Sequence, residues 1–211
     1  MFIKSIMIPK FKCVTIRNTD SLEEAFEKLE AHSIDALPVL DGDIYLGIVT
    51  RYGILKGYFD SGTDKTEYLK NTKAAEAVVF EDKYLTGSEI FETTLLELKD
   101  FPLMAVVNEE GKQFLGVVTR ADVLEQFESA FGVKQKGVRI AFTSVETEGR
   151  IARLAEIAHQ FHEHIISLVT FDETDKLVRR IVMKVEKKDN VDKFIDKLEQ
   201  SGFRILNIHE D

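Results

Sequence analysis

Leu46-Gly47-Ile48-Val49-Thr50-Arg51 returns 69 residues later as Leu115-Gly116-Val117-Val118-Thr119-Arg120. Each copy is a β-branched apolar run interrupted by glycine, closed by Thr-Arg and followed by a helical pattern. Upstream the offset falls to 67, so that Leu37-Pro38-Val39-Leu40 lies over Met104-Ala105-Val106-Val107. The two extra residues fall in a turn, where Asp41-Gly42 is replaced by Asn108-Glu109-Glu110-Gly111. Both stretches carry hairpin turn signals, so each copy reads strand, turn, strand, helix.

Working outward, each copy adds an N-terminal apolar stretch and an amphipathic helix before its strands. In the first copy Ser21-x-x-Glu24 forms a capping box, and Leu22, Ala25, Phe26 and Leu29 share one face, which predicts a helix over 21–32. Ile90, Phe91, Leu95 and Leu98 predict its counterpart near 87–99. The first copy is expected at 1–60, a polar linker beginning Ser61-Gly-Thr-Asp-Lys-Thr-Glu at 61–75, and the second copy at 76–131.

After Phe131-Gly132 the pattern changes. Val138, Ile140 and Phe142 alternate with polar residues as in a half-buried strand, and Gly149 precedes a helix with Ile151, Leu154, Ala155, Ala158 and Phe161 on one face. An apolar segment at 165–171 follows, then a turn with Asp172, Glu173 and Asp175, and a strand through Ile181, Met183 and Val185. A helix with Val191, Phe194, Ile195 and Leu198 ends at Gly202 before a last strand over 203–208. The order over 137–211 is βαββαβ, the ferredoxin-like plan, and the fold class of the whole is α+β.

The 211 residues carry a net charge of −9, which disfavours nucleic acid, since that binding needs Lys and Arg to displace counterions. No apolar run reaches the length of a membrane span, and the N-terminus lacks a secretory pattern, so a cytoplasmic protein without membrane attachment is expected. Cys13 is the single cysteine, leaving no internal disulfide and no thiolate metal cluster. It reads as a small filler in an apolar stretch. His159, His162 and His164 lack a third-ligand spacing and read as residues of a helix C-terminus, so no metal is expected. Paired carboxylates, a Ser–His arrangement and a P-loop are missing at useful spacing, so the chain is not expected to be an enzyme or to require a cofactor.

The chemistry concentrates at the second Thr-Arg. Thr119 stands where a strand becomes a helix, so its hydroxyl and the free N–H groups of the first turn can meet a phosphate. Arg120 adds a planar charged donor, and Asp122 can accept hydrogen bonds from both ribose hydroxyls. The structural alternative stands beside this: Thr is a good N-cap, and Asp is favoured in a first turn without any ligand. The first copy retains Thr50 and Arg51 but has Gly53 at the aspartate position, so its site is expected to be empty, weaker or differently used.

The duplicated Leu-Pro-Val strand, the Gly-Ile-Val-Thr and Gly-Val-Val-Thr strand ends and Asp122 make residues 1–131 resemble the cystathionine-β-synthase (CBS) repeat pair, or Bateman module. That resemblance implies an adenosyl ligand such as AMP, ADP, ATP, S-adenosylmethionine or cyclic di-AMP. It also implies that Val79-Phe80 and Pro102-Leu103-Met104 wall the adenine. The last third resembles an ACT domain, through its strand–Gly149–helix junction, His164-Ile165-Ile166-Ser167 and Gly202-Phe203. ACT domains bind amino acids at that first junction, which points to Glu148, Gly149 and Ile165. Glu146-Thr147-Glu148 replaces the family's frequent Asp-Arg-Pro, and Ile165 or Ile166 its frequent Asn. The order CBS pair then ACT is similar to acetoin-utilisation-type regulatory proteins of bacteria. A homodimeric sensor acting on an unidentified protein partner is implied; the alternative is a ligand-independent interaction or dimerisation module.

Overall fold

The computed structural model describes residues 2–145, 147–171 and 177–211. Glu146 and the turn residues Asp172, Glu173 and Asp175 lie outside the described residues. The chain divides into two compact units, residues 1–124 and 125–211.

In the first unit the first repeat comprises β1 (Ile8–Pro9), β2 (Ile16–Arg17), α1 (Leu22–Ala31), β3 (Ala36–Asp41), β4 (Ile44–Thr50), α2 (Arg51–Ser61) and α3 (Lys65–Asn71). The second comprises β5 (Tyr84–Leu85), α4 (Phe91–Glu97), β6 (Leu103–Val107), β7 (Phe114–Thr119) and the start of α5 (Arg120–Ala130). The Ser21–Glu24 capping box is formed in both directions and starts α1. Residues 61–75, expected as a linker, contain α3. Asp64 caps it by accepting from the amides of Thr66 and Glu67, and Leu69 enters the first-repeat core. One buried residue, Leu69, beside half-buried Tyr68 in an otherwise polar heptamer is too short a signal for periodicity to detect.

The sheets exchange strands between the repeats. In one, the order is β1-β7-β6-β5, so the leading strand of the first repeat pairs with the last strand of the second. In the other, β2-β3-β4, Val79 of the second repeat bonds back to Ile48 of β4 through two backbone hydrogen bonds of 2.9 Å. The crossing is close: a Cβ on Gly116 would lie 2.2 Å from the Ile8 carbonyl oxygen, so only glycine fits there.

Strand β3 is buried on both faces, which explains its unbroken apolar run. Leu37 and Val39 pack against Leu22, Ala25 and Leu29 of α1. Ala36 and Leu40 join Tyr45, Ile48, Ala105, Val107, Phe114 and Val117 in a core shared by the repeats. Each large side chain fully buried there contributes about 1.5–3 kcal/mol.

The second unit contains the end of α5, β8 (Val138–Val145), α6 (Arg150–Gln160), β9 (Ile165–Phe171), β10 (Val178–Val185), α7 (Val191–Gln200) and β11 (Arg204–Glu210). Its sheet is antiparallel in the order β11-β8-β10-β9. Ile140 and Phe142 of β8 and Ile181 and Met183 of β10 face Leu154 and Ile157 of α6 and Phe194 and Leu198 of α7. The division falls within α5, before the expected limit at 131. The helix end is fastened to this sheet: Ser167 Oγ donates to the Phe131 carbonyl at 3.0 Å, and Lys184 Nζ to that of Gly132 at 3.2 Å.

Candidate functional site

The strand exchange brings the start of α5 against the opposite repeat. A cleft of about 360 Å³ opens there, walled by Lys12, Cys13 and Val14 after β1, by Ile34, Asp35 and Ala36 at the start of β3, and by Pro102, Leu103, Thr119, Arg120 and Ala121. Sequence reasoning found Thr119, Arg120, Pro102 and Leu103. It missed Lys12, which follows the two-residue strand β1, and the Ile34–Ala36 wall at the start of β3, because these belong to the other repeat. The repeat offset held the signal: Val79 stands opposite β4 as Ile8 stands opposite β7.

Thr119 and Asp122 form a reciprocal cap. The Thr119 amide and hydroxyl donate to Asp122 Oδ2 at 2.8 and 2.6 Å, and the Asp122 amide donates to Thr119 Oγ1 at 3.2 Å. Asp122 is half-buried and is not itself one of the lining residues, although its neighbours Thr119, Arg120 and Ala121 are. Its charge is felt in the cleft at Cys13, whose thiol is pushed up to about 11, chiefly by burial. The Val117 backbone opposes that rise, and the Asp122 carboxylate adds to it. The thiol donates to the Ile8 and Pro9 carbonyls at 3.3 and 3.4 Å.

Both repeat arginines are occupied with backbone. Arg120 Nε donates to the Leu98 carbonyl at 3.1 Å, and Nη2 to those of Lys99 and Phe101 at 3.3 Å each. Arg51 Nη2 donates to the Leu29 and Ile34 carbonyls at 3.4 and 3.1 Å, while its other nitrogens pair with Asp35 and Glu30. In each repeat the arginine therefore bonds backbone carbonyls at and just after the end of the preceding helix. That explains why Arg follows Thr in both copies without invoking a phosphate.

The remaining candidates lie elsewhere. Thr50 caps α2 by accepting from the Gly53 amide at 2.9 Å, with no carboxylate to complete a box. Val79 and Phe80 run along the β4 side, where Phe80 packs edge-on to Phe101 at 4.6 Å, and neither lines the Asp122 cleft. Met104 lines a different depression with Tyr84 and Thr94.

In the second unit Gly149, at φ +80°, begins α6 and lines a hollow of about 370 Å³ with Ser144, Thr147, Arg150 and Arg179. Glu148 is exposed outside that lining, and Ile165 packs against the core. Arg150 is fixed by Ser144 Oγ at 2.6 Å and by the Ser201 and Gly202 carbonyls. The His159 and His162 rings are 6.4 Å apart, and among the described residues no group of three or more metal-ligating side chains gathers. No described helix is long and apolar enough to cross a membrane.

A family model described as "CBS domain" matches residues 3–60 and 78–129. Among solved structures, a CBS-domain-containing protein of Bacillus anthracis is 28% identical with a TM-score of 0.54, covering 61% of this chain and 93% of that one. CBSX2, solved in complex with AMP, is 21% identical with a TM-score of 0.51, covering 64% and 98%. CbpB, solved in complex with c-di-AMP, is 17% identical with a TM-score of 0.54, covering 61% and 85%. The last two likenesses concern the fold.

Proposed function

The chain belongs to the CBS-domain family, and from that premise we propose that it is a non-enzymatic regulatory sensor taking an adenosyl nucleotide in the Asp122 cleft. The observation that carries this reading is the cleft itself. It is open, built from both repeats, and lined by Thr119, Arg120 and Ala121 at the start of α5, where a helix N-terminus favours an anion. Asp122 Oδ2 is held by Thr119, which fixes the carboxylate and leaves Oδ1 outside the cap to accept from a ribose. Lys12 supplies the mobile cation for phosphate, a role first given to Arg120, whose Nε and Nη2 are engaged with carbonyls. Apolar Val14, Ile34, Ala36 and Leu103 offer a slot for the base. The two relatives solved with AMP and c-di-AMP support the same ligand class. Occupancy acts by favouring one arrangement of the protein over another, which requires unequal affinity for the two.

The antiparallel order β11-β8-β10-β9 supports reading the second unit as ferredoxin-like and of ACT type, with an effector site at the Gly149 hollow. The reading includes a cytoplasmic homodimer with no required cofactor; a part in acetoin or carbon metabolism rests on the resemblance in domain order alone. The test is calorimetric titration with AMP, ATP, S-adenosylmethionine and cyclic di-AMP. One of them gives heat with the native chain and loses it in Asp122→Ala.

The second reading, a ligand-independent interaction module, is favoured by one observation: Asp122, Arg120 and Arg51 all have structural occupations. Silence with all four nucleotides supports it and ends the sensing account.

A further inference from the structure

The second unit carries a basic cleft that neither the nucleotide reading nor the Gly149 hollow uses. It has a volume of about 380 Å³ and lies between the segment after α5 and the sheet. Strand alternation explains its position. Ile140, Phe142, Ile181 and Met183 turn toward α6 and α7, so Arg139, Val182 and Lys184 point to the other face.

Lys184 is only 5% exposed, which is rare for an ammonium unless it is paired. Its Nζ donates to the Gly132 carbonyl and to Asp211 Oδ2, two of its three donor positions. The charges lining the cleft are Lys134, Lys136, Arg139 and Lys184 against Asp211 alone. Lys134 is neutralised from outside the lining by Glu125 at 2.8 Å and Glu128 at 3.5 Å. His209 Nε2 approaches Asp211 Oδ1 at 3.3 Å from beside the cleft, and neighbouring Lys187 is matched by Glu210. Lys136, Arg139 and Lys184 therefore outnumber the side-chain and α-carboxylates of Asp211, a local positive excess within a chain of net charge −9. Arg139 spends one donor on a long bond of 3.4 Å to Asn207 Oδ1, and Ser167 has lone pairs left after donating to Phe131.

We propose that this cleft binds a small dianion, a phosphate ester or a dicarboxylate, held by the Arg139 fork and the Lys136 and Lys184 ammonium groups. Three cations stand ready for a doubly charged ligand that displaces Asp211, and a fork beside point charges suits planar carboxylate and tetrahedral phosphate oxygens alike. Asp211 occupies part of the same field and competes with the ligand.

The test is isothermal titration of the full chain with inorganic phosphate and, separately, with succinate, against sodium chloride at matched ionic strength. One probe is expected to bind at one site per chain. Lys136→Gln/Arg139→Gln, which alters surface side chains, is expected to weaken it about tenfold or more. Asp211→Asn is expected to tighten it severalfold by removing the competitor, and Asp122→Ala to leave it unchanged. A site that only stabilises the fold would not gain affinity on losing Asp211. Heat no greater than the chloride control for both probes, or affinity unmoved in both cleft variants, overturns the proposal.

Discussion

Replacing Arg120 by Met separates its structural occupation from any service to a ligand. The substitution keeps an unbranched stem and removes three hydrogen bonds to the Leu98, Lys99 and Phe101 carbonyls. The Nε bond at 3.1 Å is part-buried and charge-assisted, worth about 1.5 kcal/mol; the two exposed Nη2 bonds are screened and add a few tenths each. The expected loss is about 2 kcal/mol without any nucleotide present. All five tyrosines, Tyr45, Tyr52, Tyr58, Tyr68 and Tyr84, fall in the first unit, and the chain has no tryptophan. Tyrosine fluorescence during urea unfolding therefore reports on that unit alone, where 2 kcal/mol moves the midpoint by about 1 M. Arg120→Lys should not restore it, because one ammonium cannot span three carbonyls. A midpoint unchanged in Arg120→Met, with nucleotide affinity lost, would refute the structural assignment.

Other predictions address the cleft and the strand exchange. Gly116→Ala forces β1 off β7, since the new Cβ meets the Ile8 carbonyl oxygen at 2.2 Å, and should cost about 3 kcal/mol by the same unfolding assay. Asp122→Ala removes the reciprocal cap on α5 and should cost about 1 kcal/mol even without ligand; tyrosine-detected urea unfolding measures it. With its thiol pushed up to about 11, Cys13 should react with iodoacetamide about a hundredfold more slowly at pH 8 than a free thiol, and its rate should climb through pH 10 without a plateau. Because the folded value lies above the ordinary one, the protonated thiol favours the fold. That contribution is complete below about pH 9 and fades as pH rises toward 11. A bound nucleotide should slow alkylation further, since Cys13 lines the cleft.

The sequence revealed what is local or repeated. The Ser21–Glu24 box, the strand–turn–strand units and the helix starting after Thr119 follow from spacing, and each lies close to its expected bounds. What escaped is non-local. Residues Ile8–Pro9 carry no periodicity, yet their pairing with β7 brings Lys12, Cys13 and Val14 to the wall of the cleft. Val79 and Phe80, which the family resemblance implies as adenine walls, lie instead along β4, where Val79 pairs with Ile48. Arg120 looked like a phosphate ligand because its partners are backbone carbonyls, which no side-chain motif announces. The surplus charge around Lys184 was hidden as well, since Lys136, Arg139, Lys184 and Asp211 meet only through the sheet.

The central claim is that the cleft beneath Thr119 and Asp122 holds an adenosyl nucleotide. Native mass spectrometry of the full chain with AMP, beside Asp122→Ala, tests it most directly. The account predicts one nucleotide per chain on the native protein, because the first-repeat cap at Thr50 lacks the carboxylate, and none on the variant. Equal adducts on both proteins, or an adduct on neither with AMP, ATP, S-adenosylmethionine and cyclic di-AMP each tried, would contradict it.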